Sequence, residues 1–322
     1  MLKKRDYYKP FQYPWMYELW HKHENAMHWN ATEVAMHEDV RDWNTKLTPN
    51  ERSLITNLFR FFTQGDTDVA KQYVSHFLPY FAGTPECTMM LSSFASREAI
   101  HQDAYAVLVE TLNMPEDTFK QFHSYKEMLD KHAYLFAFNM SNLYNVLKTI
   151  AAVSAFTEGM QLFSSFAILL NFTRFNKMKN MGNIISWSIA DEQVHVEGMT
   201  RIFKELFPSL SKETQELIKT DIAEIGKKMV SLEDSFIDLC FSSGDVIEGL
   251  TKDEVHQYIR HIANIRFNQL GFSSKLFPEV DKNPFPWIDW LVNGQGHTNF
   301  FEQKETEYGK ALTKGSVEDI VW

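Results

Sequence analysis

Cysteine, cationic charge and long uncharged runs are all scarce in this chain. Two cysteines, Cys87 and Cys240, among 322 residues cannot build a disulfide framework, so a reducing, cytoplasmic setting is expected. With 32 Lys and Arg against 42 Asp and Glu, the formal charge is −10. That argues against a nucleic-acid surface, which needs a basic stripe. The N-terminus opens on Lys3, Lys4 and Arg5 but continues Asp6-Tyr7-Tyr8-Lys9-Pro10, with no apolar core for a signal peptide. No stretch reaches about 18 uncharged apolar residues, so no membrane span is expected. Apolar/polar alternation and Gly-rich hairpin signals are also sparse, which disfavours strands. What is abundant is core material: 44% hydrophobic residues, 26 of the side chains being Phe.

Helix signals fill the space. Thr48-Pro49-Asn50-Glu51 is a capping box with Pro at the first helical position, predicting a helix to about Leu78, stopped by Pro79 and Gly83. Thr84-Pro85-Glu86 opens a second, to about Asn113. No proline falls between Glu116 and Phe207, leaving room for three helices, the last two near 144–171 and 181–206. Ser211 precedes a further helix, and Thr251 with Glu254 caps another. The expected fold class is all-α. Residues 1–294 are expected to form the helical domain, and 295–322, with Gly296, Gly309 and Gly315 among polar residues, a mobile tail. A terminal Trp322 is an odd ending for a tail with nothing to bind.

The chemistry lies in carboxylates on apolar stripes. Three Glu-x-x-His pairs put both side chains on one helix face: Glu18/His21, Glu98/His101 and Glu192/His195. About one such pair is expected by chance, and Glu18/His21 has no supporting carboxylate, so it is set aside. Asp66 instead sits among Phe59, Phe62, Val69, Ala70 and Tyr73 on one face of its helix. Glu98 follows Leu91, Phe94 and Ala95, Glu158 is flanked by Ala151, Ala155, Leu162 and Phe166, and Glu192 follows Ile185 and Ile189. Four carboxylates cannot all stay ionised in a dry core without counter-charge. Two divalent cations would supply it, with His101 and His195 as neutral ligands. Asp66 precedes Glu98 by 32 residues and Glu158 precedes Glu192 by 34, so each half reads as a carboxylate, a helix hairpin and a returning Glu-x-x-His. This is the ligand set of ferritin-like dimetal carboxylate bundles, a pattern recognised rather than discovered.

At these residues the chain strongly resembles the radical-generating small (beta) subunit of class I ribonucleotide reductase, from about Met27 to Phe272. The stretches that carry the resemblance are Ser96-Arg97-Glu98-Ala99-Ile100-His101, Phe156-Thr157-Glu158-Gly159, Ile184-Ile185, Ile189-Ala190-Asp191-Glu192-Gln193-Val194-His195, and Tyr258 to Arg266. It implies a ferritin-like bundle with flanking helices, and two metal ions (Fe/Fe, Mn/Mn or mixed Mn/Fe) on Asp66, Glu98, His101, Glu158, Glu192 and His195. Oxidative activation of that centre would yield a radical on Tyr105 or leave the oxidising equivalent on the metals. Asp191 matches the aspartate that bonds a ligand histidine, here His101, and Trp29 the tryptophan that continues the relay. Tyr308 would pass the equivalent to a large subunit, to which the tail docks with Trp322 as anchor. A homodimer, with no membrane or nucleic-acid partner, completes the expectation.

Leu162 and Ser188 depart from the bulkier apolar residues many members carry near the radical tyrosine. A hydroxyl there could admit water or bond the phenol. Two other readings explain the ligands alone: a dimetal oxygenase or desaturase, which needs no docking tail, and a ferritin-like metal store, which takes up many ions per chain.

Overall fold

Three helix starts fall where a neighbouring side chain answers the unpaired N–H groups of the first turn. Thr48 and Glu51 form a reciprocal capping box opening Pro49–Gln72, and Thr251 with Glu254 does the same for Lys252–Gln269. Ser211 accepts from Thr214 N–H ahead of Lys212–Cys240. Other helices span Pro14–Ala26, His37–Thr45, Pro85–Thr111, Lys126–Leu135 and Lys179–Leu206. The computed structural model describes residues 1–289. Met1–Pro284 form one unit; a second begins at Phe285, and its described residues hold the 3-10 turn Pro286–Ile288.

Four long helices make the core. The Asp66 helix (Pro49–Gln72) packs on the Glu98 helix (Pro85–Thr111) as one hairpin. The Glu158 helix (Leu143–Arg174) packs on the Glu192 helix (Lys179–Leu206) as the other. The hairpins join through contacts between the Glu98 and Glu192 helices, and through Phe62 stacked on Phe166 at 5.3 Å. Lys212–Cys240 and Lys252–Gln269 cover the Glu158 helix, and Pro14–Ala26 covers the Glu98 helix.

Several features differ from the sequence reading. The Asp66 helix continues past Leu78 to Phe81, through a π-helical turn at Tyr73–Phe77. The wider turn precedes Pro79, whose ring would crowd the carbonyl four residues back in a regular helix. The Glu158 helix is π-helical over Ala151–Gln161, so Glu158 sits inside the widened stretch. There the fully buried Arg266 donates from Nε to the Gly159 carbonyl at 2.6 Å, and an added Cβ on Gly159 would lie 2.7 Å from that nitrogen. A small antiparallel ladder, Val246↔Thr251 and Ile247↔Leu250, turns at Gly249 with φ +77°. Finally, Leu143–Arg174 is long and apolar enough to cross a membrane by length and composition, although Glu158 interrupts its apolar run. Its apolar window is wholly buried inside the fold, as a core helix requires.

Candidate metal centre

Asp66, Glu98, His101, Glu158, Glu192 and His195 come from four helices and are all buried. They form two groups that share Glu98. One is Glu98, Glu158, Glu192 and His195, the other Asp66, Glu98 and His101, with one ligand atom per residue within 4.8 Å of the others in its group.

His195 Nδ1 lies 3.1 Å from Glu98 Oε1 and 3.2 Å from both Glu158 Oε1 and Glu192 Oε2. One ring nitrogen cannot serve three carboxylates, whereas a cation among these four atoms could be bound by all of them. His101 Nδ1 similarly faces Glu192 Oε1 at 3.2 Å and Glu98 Oε2 at 3.7 Å. Both oxygens of Glu98, both of Glu192, and Asp66 Oδ2 are buried without a hydrogen-bond partner. Orphaned acceptors on this scale are costly in a dry core and are what metal ligation would satisfy. The donor set fits two hard-to-borderline divalent ions.

Charge tells the same story. Burial, reinforced by Glu98, pushes the Asp66 carboxyl well above its usual range, and burial lifts Glu158 to about 7 against the hydrogen bond from His195. Burial opposes charge on the imidazoles too, but the carboxylates outweigh it. Asp191, Glu192 and Glu98 hold His101 well above its ordinary value, and Glu192 and Glu158 do so for His195. A cluster that pulls protons onto both residue types is short of positive charge.

Around this cluster, Asp191 takes three bonds while completely buried. Trp29 Nε1–H donates to Oδ2 at 2.8 Å, His101 Nε2 lies 3.1 Å from the same oxygen, and His23 Nε2 lies 3.1 Å from Oδ1. These bonds overcome burial and hold Asp191 below the usual carboxylate range, so it is an acceptor only. It therefore fixes the proton of His101 on Nε2 and directs Nδ1 at the cluster. Trp29 stacks on His101 at 5.8 Å and leans on Trp187 at 5.4 Å.

Tyr105, one turn beyond His101, stacks on Phe62 at 4.7 Å and donates to Ser188 Oγ at 3.1 Å. Burial, with Asp66 adding, holds its phenol well above 10. Glu18 and His21 are exposed and away from the cluster. Tyr308 and Trp322 lie outside the described residues.

Sequence reasoning missed two residues. His23 shares the buried face of its helix with Met16 and Leu19, the signal that could have marked it. Tyr73 read as core aromatic, yet its hydroxyl contacts both oxygens of Glu158, at 2.8 and 3.0 Å.

Comparison with known proteins follows the same line. The family "Ribonucleotide reductase, small chain" matches residues 5–284. A protein of Invertebrate iridescent virus 6, named as a ribonucleoside-diphosphate reductase small subunit, is 43% identical over 99% of this chain and 98% of its own. A ribonucleoside-diphosphate reductase subunit beta of Halalkalibacterium halodurans is 27% identical over 96% and 90%. The solved structure of a class I ribonucleotide reductase from Bacillus halodurans superposes with a TM-score of 0.79 at 24% identity, over 86% of this chain and 99% of that one, a likeness of fold.

Proposed function

The chain belongs to the ribonucleotide reductase small-chain family, and from that premise we propose that its six buried carboxylate and imidazole ligands would hold two metal ions, with Tyr105 as the residue that gives up an electron. As the small subunit of a class I enzyme, it supports reduction of ribonucleotides to deoxyribonucleotides, which takes place on a large subunit. The observation that carries the metal reading is the pair of ligand groups sharing Glu98. When bound and activated, the metal pair supplies a strong one-electron oxidant. Fe/Fe, Mn/Mn and mixed Mn/Fe loading all suit carboxylate and imidazole donors, and supply decides among them.

The chain's own residues do the rest. Asp191 orients His101, and Phe62 and Ser188 hold the Tyr105 phenol in place. His101, Asp191 and Trp29 form a bonded path away from the cluster, along which we assign transfer of the oxidising equivalent. Tyr308 is assigned its hand-over to the large subunit, and the tail, 295–322, docking through Trp322. A homodimer in the cytoplasm completes the proposal, in keeping with two buried free cysteines. An oxygenase or a metal store would leave the Asp191–Trp29 arrangement without a use.

The test is metal quantitation with EPR after loading Fe(II) or Mn(II) and oxidising. Two metals per chain are expected in the wild type, with loss of assembly and of reductase support in Glu98→Ala and His101→Ala. Full activity in either variant would sink the assignment. Tyr105→Phe should keep its metals but lose reductase support; retained support would put the oxidant on the metals.

A further inference from the structure

Tyr73 has no place in the path from the cluster through Asp191, yet it touches a ligand. It lies on the π-helical turn that follows the Asp66 helix. The side chain is fully buried, and its hydroxyl donates to Glu158, 2.8 Å from Oε1 and 3.0 Å from Oε2. Its ring packs edge-on to His195 at 5.8 Å and to Phe94 at 5.8 Å, and against Phe77 at 5.6 Å. Each ligand group therefore has a phenol beside it. Tyr105 shares a helix with Glu98 and His101 of one group, and Tyr73 bonds Glu158 of the other.

The two phenols differ in what can take their proton. Tyr105 donates to the Ser188 hydroxyl, a poor base. Tyr73 donates to a carboxylate. Resting on the metal reading above, we propose that Tyr73 is a second redox-active phenol of the centre, with Glu158 as its proton acceptor. In the step, Tyr73 gives one electron to the oxidised metal pair while its phenolic O–H bond breaks. The proton passes to the Glu158 carboxylate, forming a new O–H bond there. The products on the chain are a neutral phenoxyl radical and a neutral carboxyl, so the pocket gains no unpaired charge.

The geometry favours coupled loss of electron and proton, because the hydrogen bond along which the proton would pass is already formed. The apolar rings around Tyr73 keep water from the radical.

The experiment compares wild type, Tyr73→Phe, Tyr105→Phe and the double variant, each loaded with Fe(II), oxidised, frozen and read by EPR beside metal quantitation. Phe keeps the ring at each position, and circular dichroism checks that the helices persist. In Tyr105→Phe a tyrosyl signal is expected whose hyperfine pattern differs from that of wild type, because a different ring is held at a different angle. That signal should narrow when the protein carries ring-deuterated tyrosine and vanish in the double variant, which still binds two irons. Absence of any tyrosyl signal in Tyr105→Phe with two irons bound and oxidised overturns the proposal, as does an undiminished signal in the double variant. Failure of the wild type to bind two metals overturns the reading of the centre itself, a separate outcome.

Discussion

Replacing Asp191 with Asn keeps its shape and removes its charge. The carboxylate accepts from Trp29 at 2.8 Å and faces His101 and His23, each at 3.1 Å. The Trp29 indole can only donate, so the amide oxygen must take the side occupied by Oδ2. The amide nitrogen then faces His23, which can adapt by moving its proton to Nδ1, opposite Ser93 Oγ at 3.0 Å. The Trp29, His101 and His23 donors all keep acceptors, and for them the loss is one of bond strength. A bond to a charged group contributes about 1.5–3 kcal/mol and a neutral one about 0.5–1.5, so three weakened bonds cost roughly 3 kcal/mol of stability. Metal affinity should fall as well, because the amide orients and polarises His101 less firmly. A loss of about 10–100-fold is expected for such outer partners, or about 1.4–2.7 kcal/mol. Chelator competition with Mn(II) reads the affinity and urea unfolding reads the stability. Asp191→Ala, which strands three groups, should be worse on both counts. Wild-type metal affinity in Asp191→Asn would refute the claim that this carboxylate sets the His101 ligand.

Away from the centre, Lys131 is buried with its ammonium on Glu233 and 3.6 Å from the centroid of Phe61, while Ser164 donates to Glu233 at 2.6 Å. Lys131→Met should cost about 3–5 kcal/mol in urea unfolding by stranding that carboxylate, and Lys131→Met/Glu233→Leu should recover most of it; equal losses would show the pair is not coupled. At the N-terminus, Glu86 accepts from Arg5 and from the Gln12 and Tyr13 N–H groups. Burial raises its carboxyl, but these bonds outweigh it and hold the value below the ordinary one. Its contribution is therefore complete above the unfolded carboxyl's value and lost as pH falls through the folded one. Tryptophan fluorescence from Trp15 and Trp20 should report release of the N-terminal segment in that acid range, and Glu86→Gln should remove the transition; an unchanged acid profile would refute it.

What was legible in the sequence is what is local. Thr48 reaches Glu51 and Thr251 reaches Glu254 within one turn, so their helices could be placed from the residues alone. Glu98 with His101, and Glu192 with His195, are also one turn apart, and their apolar neighbours marked the face they share. The π-helical stretches were invisible, since Ala151–Gln161 is widened by packing and by Arg266, which approaches from over a hundred residues away. Tyr73 and His23 were missed for the same reason. Nothing beside them in sequence distinguishes a core ring from one whose polar atom meets Glu158 or Asp191, 85 and 168 residues away.

The start of the Glu192 helix has a remote cap. Its preceding residue, Met178, is left-handed and offers no capping side chain. Instead Asp39 accepts from the N–H groups of Asn180 and Met181, 141 and 142 residues further along, and Asp42 accepts from Met178 N–H. A helix whose first-turn N–H groups depend on so distant a carboxylate has a frayed start until that residue arrives. Closing a loop of that length is slow compared with zipping up a local hairpin. The two halves of the bundle are thus unequal in time: the hairpin of Asp66 and Glu98 can form from nearby contacts, while the Glu192 helix waits for His37–Thr45 to arrive. Glu192 and His195 settle only after the N-terminal segment has found its place, so the bundle itself delays completion of the site until that segment has docked.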